Sequence, residues 1–441
     1  MSSLLDQILD VLRKAQAGKH MAGGLRILDW RITCSQTQMI TLGIKNNATG
    51  GVYSPPALKD SEKAEIYLIW EDGKCSRSVV QNPPPGRKDH WQTELNGWRA
   101  AAFEDKYAAK IPEPSELPDV GIAEQKLHDI VCRDHSCLFE QQGRIRADEP
   151  VEALKNGQIM AIWGKSNILT STGVQVAFEE SRYAVSWSFD SIVAEGFAER
   201  RLITAEEWLG LWEESVCRYR LLENQGEPVR SATKVILTPA VVSQMIDQYI
   251  LPNFRGENVL ERQSRFTTQD FSGHIPLFDP ELTIEINPLL PGKWASYVLT
   301  NEGVPAMRTE LLRDGRLETP YLNLKDAGRF GAGPTAIPYS SAGIRVKHTR
   351  KISWKDLVGT IEDGIMILSV LGLHTQNPVT GTFSLTAPCA LRIKNGVVDG
   401  KTDVRINGNF WDILWREDTV YADHPLYNHP YLMFHIPPDN L

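Results

Sequence analysis

The sequence predicts an α+β protein in two parts: an N-terminal mixed sheet-and-helix domain over 1–225, and a C-terminal domain of largely antiparallel strands with packed helices over 226–441. Three observations carry this reading. Asp72-Gly73 sits between two β-forming runs, which favours a tight hairpin turn because the central residues must tolerate positive φ. The stretches 204–223 and 239–251 repeat their apolar residues at helical spacing. The tail after 383 carries short β segments broken by turn residues such as Asn395-Gly396.

In chain order, residues 3–16 read as an amphipathic helix. Strands are expected at 25–34 and 39–44, then a hairpin over 65–80 closed by Asp72-Gly73 and followed by a proline-rich loop over 81–90. A second proline-rich stretch, 110–120, reads as a linker or surface loop. A helix is expected over 121–135 and several strands over 158–190, with Ser171-Thr172-Gly173 as a turn. Thr204 with Glu207 three positions later forms a capping box at the head of the helix 204–223. After a strand at 234–237, Pro239 takes the favoured first-turn position of the next helix. A strand at 282–286, a hairpin around Asp314-Gly315 and a helix over 353–363 capped by Ser353 precede the β-rich tail.

Composition narrows the function classes. The 441 residues are 42% hydrophobic and carry a formal net charge of −8, which disfavours nucleic-acid binding because phosphate recognition needs a basic surface. No apolar run approaches the length of a membrane span. The opening residues lack the continuous apolar centre of a secretory signal. The six cysteines are mostly scattered, which suits reduced thiols and a cytoplasmic location.

Sequence motifs add little chemistry on their own. Cys132, His135 and Cys137 form the densest cluster of soft ligands, but the second ligand pair of a zinc site is missing. His424 and His429 each precede proline in an aromatic tail, whose Tyr421, Tyr427, Tyr431 and Phe434 suit either a structural role or an interface. Residues 328–334 are glycine-rich without the lysine of a phosphate loop. None of the ten histidines is followed by glutamate, so no HExxH or HExxxH is present.

The order of features in the C-terminal half resembles the TldD/TldE (PmbA) family. The resemblance rests on Thr380-Gly381-Thr382-Phe383-Ser384, the Asn395-Gly396 turn and Gly408-Asn409, together with 301–317, 325–333, 234–266 and 164–178 upstream. Residues 1–120 match the family poorly. TldD-like members carry HExxxH on the central helix, which suits zinc and a water-activating glutamate; TldE-like members lack it and pair with TldD. Here the corresponding positions fall on Asp247, Gln248 and Pro252, and no cysteine follows Asn409 to supply a further ligand.

The resemblance therefore implies a TldE-like, non-catalytic subunit. It would hold no cofactor or metal of its own, with zinc expected in a TldD-like partner, and the pair would cleave unfolded peptides or leader peptides. It further implies that His374, Thr375, Gln376, Asn377, Thr380, Gly381, Phe383, Ser384 and Ser264 line the peptide cavity or the shared interface. An extended peptide is the expected ligand, held by a strand edge, with neither nucleic acid nor membrane as partner. Two other readings stand beside this one: a homodimeric peptide-binding or structural protein, and a hydrolase with a site rebuilt around Cys132, His135 and Cys137.

Overall fold

The computed structural model describes residues 3–50, 55–81, 90–107, 110–190, 192–229, 234–273 and 276–437. Most of the proline-rich loop expected at 81–90 lies outside these residues. Helix α1 (Leu4–Gln16) starts at a reciprocal cap: the Ser3 hydroxyl accepts from the Asp6 N–H while the Asp6 carboxylate accepts from the Ser3 N–H. The first sheet uses β1 (Ile27–Ile44), β2 (Ala57–Trp70), β3 (Cys75–Gln81), β4 (Lys155–Thr170), β5 (Gln175–Phe189) and β6 (Ile192–Glu199). Its order is β3-β2-β1-β4-β5-β6, and every neighbour is antiparallel.

The two strands expected at 25–34 and 39–44 are one strand. The polar run between them does not break β1, because its backbone stays paired with β2 on one side and β4 on the other. One end of β1 packs Ile32 and Cys34 under α1 and α2 (His90–Ala100). The other end packs Ile40, Leu42 and Ile44 under α3 (Gln125–Cys132), α4 (Ser136–Ala147) and α5 (Ala205–Glu223). Gln36 and Gln38 lie between the two helical layers, beside Trp163 and Lys165 in a cavity of about 410 Å³. The helix expected over 121–135 is shorter, and the 132–137 cluster is the turn into α4. There the Asp134 carboxylate accepts from the Ser136 N–H.

The C-terminal half begins with β7 (Lys234–Leu237), which runs through Thr238 into α6 (Pro239–Met245). Strands β8 (Leu282–Ile286), β9 (Thr309–Arg313), β10 (Arg316–Leu317) and β11 (Ile344–His348) form a sheet of order β10-β9-β8-β11. The remaining strands are β12 (Lys351–Ser353), β13 (Asp363–Leu371), β14 (Thr382–Lys394), β15 (Val397–Asn409), β16 (Val420–Asp423) and β17 (Tyr431–His435). With β7 they form the order β12-β16-β17-β7-β13-β14-β15, parallel only at β12–β16 and β7–β13. The helix expected over 353–363 ends at Gly359, and β13 starts at Asp363.

Turn chemistry separates the hairpins. Asn395-Gly396 and Asp314-Gly315 have positive φ at both residues, as a two-residue hairpin turn requires. At Asp72-Gly73 only Gly73 does, and Trp70 pairs across the loop with Lys74. That loop is a longer turn with its glycine in the left-handed position.

The helix starting at Pro239 packs between the two C-terminal sheets. Val241, Met245, Tyr249 and Ile250 share one core cluster with Ile284 and Leu312 of one sheet and Val235, Ile367 and Leu385 of the other. The aromatic tail is core and not an open interface: Tyr421, Tyr431 and Phe434 are buried, and Tyr427 donates its hydroxyl to Glu195 at 2.8 Å. No described helix is long and apolar enough to cross a membrane.

Candidate functional site

The positions that the resemblance assigns to the family's metal motif, Asp247, Gln248 and Pro252, lie where this helix changes its winding. Residues 246–250 form a π-turn closed by the Leu251 N–H on the Ile246 carbonyl. Pro252 explains it: proline has no N–H for the Gln248 carbonyl and its ring crowds that carbonyl, so an α-helical register cannot continue through it. A hydrogen bond spanning five residues also brings positions five apart, here Asp247 and Pro252, closer to the same side than an α-helix does.

Two of the three side chains are engaged in hydrogen bonds, and the third has no polar atom. Asp247 accepts from the Ser341 N–H at 3.0 Å and from the Ser341 hydroxyl at 2.9 Å, one bond on each carboxylate oxygen. Gln248 donates its amide to the Gln376 carbonyl at 2.7 Å, and an amide has no useful proton affinity. Pro252 has no ligand atom. These residues do not fit a zinc ion, and no group of three or more His, Cys, Asp or Glu side chains among the described residues could hold a metal.

The same helix holds the 371–386 segment. Below the Gln248–Gln376 bond, the Tyr249 hydroxyl donates to the Thr382 carbonyl at 3.3 Å, and the Asn253 amide donates to the Pro378 carbonyl at 3.0 Å. Ser264 joins from the other side: its hydroxyl donates to the Asn253 carbonyl at 2.7 Å, while Asn253 Oδ1 accepts from the Arg265 N–H at 2.6 Å. Gln376 folds back on its own loop, its amide donating to the Gly372 carbonyl at 2.9 Å and its Oε1 accepting from the Ser384 N–H at 3.3 Å. The Asn377 side chain accepts from the Val379 and Thr380 N–H groups, an Asx turn.

Two motifs of the resemblance meet at Gly381. Its φ is +74°, and a Cβ there would lie 2.1 Å from Trp411 Cδ1. Its carbonyl accepts from the Phe410 N–H, while the Asn409 amide donates to the Thr380 carbonyl at 2.9 Å. Asn409 also caps the next helix through the Trp411 N–H. Thr380-Gly381 and Gly408-Asn409 thus form one interlocked corner. His374, Thr375, Asn377, Thr380 and Ser384 are exposed, Gln376 and Ser264 are half-buried, and Gly381 is buried. Phe383 is buried in the hydrophobic core.

The cysteine cluster does not assemble. Cys132 donates to Gln38 Oε1 at 2.9 Å, and His135 Nδ1 lies 2.6 Å from the Ile130 carbonyl. Burial raises the pKa of both the Cys132 and Cys137 thiols, which disfavours the nucleophilic thiolate. His424 is a buried partner of Glu214 at 2.9 Å. Burial works against Glu214 ionising, but the His424 bond and nearby cations outweigh it and lower its pKa.

Comparison with known proteins bears on the fold and on the C-terminal half. Residues 230–432 match the family described as the PmbA/TldA metallopeptidase C-terminal domain. An uncharacterized protein of Methanocaldococcus jannaschii is 23% identical over 265 residues, which is 57% of this chain and 60% of that one. A metalloprotease of Synechocystis is 27% identical over 230 residues, 46% of this chain and 49% of that one. The chain thus spans about half to three-fifths of the curated relatives it matches. The crystal structure of TldE from Thermococcus kodakarensis superposes with a TM-score of 0.80 at 18% identity, covering 98% of this chain and 99% of that one. Residues 230–432 thus carry the PmbA/TldA metallopeptidase C-terminal domain, and the fold along the whole chain matches that of TldE.

Proposed function

We propose that this chain is a TldE-like, catalytically silent subunit that pairs with a TldD-like metallopeptidase and forms one wall of a peptide-cleaving chamber. The observation that carries this reading is the motif helix. The helix is buried between the sheets, while Asp247, Gln248 and Pro252 are committed to Ser341, to Gln376 and to a helix deformation. A hydrolase that had lost its zinc yet kept activity would need another activated nucleophile, and the thiols of the 132–137 turn are moved away from reactivity. The homodimer reading loses one of its two motives, because the aromatic tail is buried in the chain's own core.

In this reading the substrates are unfolded peptides or leader peptides, the cytoplasm is the setting, and the zinc belongs to the partner. The exposed polar residues His374, Thr375, Asn377 and Ser384 face the shared interior, held in place by the motif helix. The experiment is direct. The purified chain, given zinc and unstructured peptides, shows no chelator-sensitive cleavage; mixed with a TldD-like protein, it co-elutes in a stoichiometric complex that cleaves. Robust cleavage by the chain alone overturns the proposal.

A further inference from the structure

A second polar site lies upstream on the same helix. A cleft of about 230 Å³ opens where β6, the last strand of its sheet, meets the start of α6 and the 427–429 turn. Glu195, Arg218, Thr238, Ser243, Tyr427 and His429 supply its polar wall. Thr238 is 4% exposed and His429 5% exposed, yet Thr238 Oγ1 and both ring nitrogens of His429 have no hydrogen-bond partner. The Ser341 backbone approaches the ring without completing a bond. Buried polar atoms are nearly always paired, so three orphans in one cleft mark a place for a polar guest.

The wall also restricts which guest fits. Its charges are already matched: Arg218 pairs with Glu195 and with Glu214 at 3.5 Å, and donates to the Tyr431 hydroxyl; Glu195 accepts from Tyr427. A carboxylate finds no spare cation, and an ammonium finds only a carboxylate in use. Burial, with Arg345 adding to it, lowers the His429 pKa to about 4, so at neutral pH one ring nitrogen donates and the other accepts. The hydrogen-bond chain fixes Ser243 as well. Ser341 spends its hydroxyl proton on Asp247, so in the 3.0 Å contact between Ser243 and Ser341 the proton comes from Ser243. The Ser243 oxygen is left to accept.

We propose that Thr238, Ser243 and His429 form a carboxamide subsite, which binds an uncharged amide of a peptide running along the open edge of β6. A carboxamide offers one carbonyl acceptor and N–H donors on one rigid plane, matching a wall of one ring donor and several acceptors. The amide is a backbone unit or an Asn/Gln side chain. This deepens the peptide-holding reading and rests on it for the source of the amide.

The test uses the full chain with ¹⁵N-labelled histidine and follows the His429 ring nitrogens by NMR, assigned with H429F. N-acetylalanine methylamide, carrying backbone amides only, and propionamide, mimicking an Asn/Gln side chain, are titrated separately, with acetate and methylammonium as controls. A saturable shift with either amide supports the proposal, and the one that binds more tightly identifies the source. The isosteric T238V variant, which keeps the fold, weakens that binding about three- to tenfold. No shift with either amide, or an equal shift with acetate, overturns the subsite. Co-elution with a TldD-like protein is measured in parallel: complex formation without amide binding sinks the subsite alone, and amide binding without a complex sinks the pairing alone.

Discussion

The side-chain amide of Gln248 donates to the main-chain carbonyl of Gln376 at 2.7 Å, joining the motif helix to a loop 128 residues away. At the position where the resemblance places a water-activating glutamate, this chain has a structural donor. The Q248E variant replaces that donor with a carboxylate facing a carbonyl oxygen. We expect a loss of about 1–3 kcal/mol in urea unfolding, faster proteolysis within 372–381, and no gain of peptidase activity.

Restoring the motif does not restore a metal site. In D247H/Q248E/P252H the two histidines still lack the further ligand the family supplies from beyond Asn409, and the Ser341 N–H loses the carboxylate that satisfies it. Metal analysis after zinc loading is expected to find well under one zinc per chain. Stoichiometric zinc would show that a hidden ligand completes the site.

Gly381 and Gly210 give opposite outcomes for the same substitution. G381A places a methyl 2.1 Å from Trp411 Cδ1 on a backbone with φ of +74°, so we expect a loss of about 3 kcal/mol or more, or no soluble protein. Gly210 lies inside α5, and a methyl added there would have open space for 4 Å around it. G210A should raise stability by about 0.5–1 kcal/mol, because alanine restricts the unfolded chain and favours helix. Denaturation midpoints of the two variants check both signs.

Acid should destabilise the fold in two steps. His429 has its pKa lowered from 6.5 to about 4 by burial. Below pH 6.5 the unfolded chain takes up a proton that the folded chain refuses, so stability is complete above pH 6.5 and falls as the pH drops toward 4, by about 3 kcal/mol. Glu207 is held at about 2, below its usual 4.5, by the Arg201 hydrogen bond; burial opposes the shift and the Thr204 cap adds to it. Its contribution is present above pH 4.5 and is lost as the pH falls toward 2. Unfolding followed against pH should lose the first step in H429F and the second in E207Q.

The sequence by itself determined the α+β class, the capped helices at Thr204 and Ser353, the Asn395-Gly396 turn, and the absence of a metal motif. These are local: a hydrophobic period, a cap or a turn dipeptide acts within a few residues, so it can be read from a few residues. The same locality made β1 look like two strands, because Gln36 and Gln38 are explained only by the gap between two helical layers. It also hid α4, whose first N–H donates to Asp134 within what read as a cysteine cluster.

Only the tertiary structure decided what Asp247 and Gln248 do. Asp247 meets Ser341 across 94 residues and Gln248 meets Gln376 across 128. The cleft at Thr238 draws His429 from the other end of the C-terminal half because β17 lies beside β7 in the sheet. Strand order sets these encounters. It follows from the burial of whole faces and not from any local pattern, so Asp247 and Gln248 find their hydrogen-bond partners, and His429 its place in the Thr238 cleft, only when the sheets are assembled.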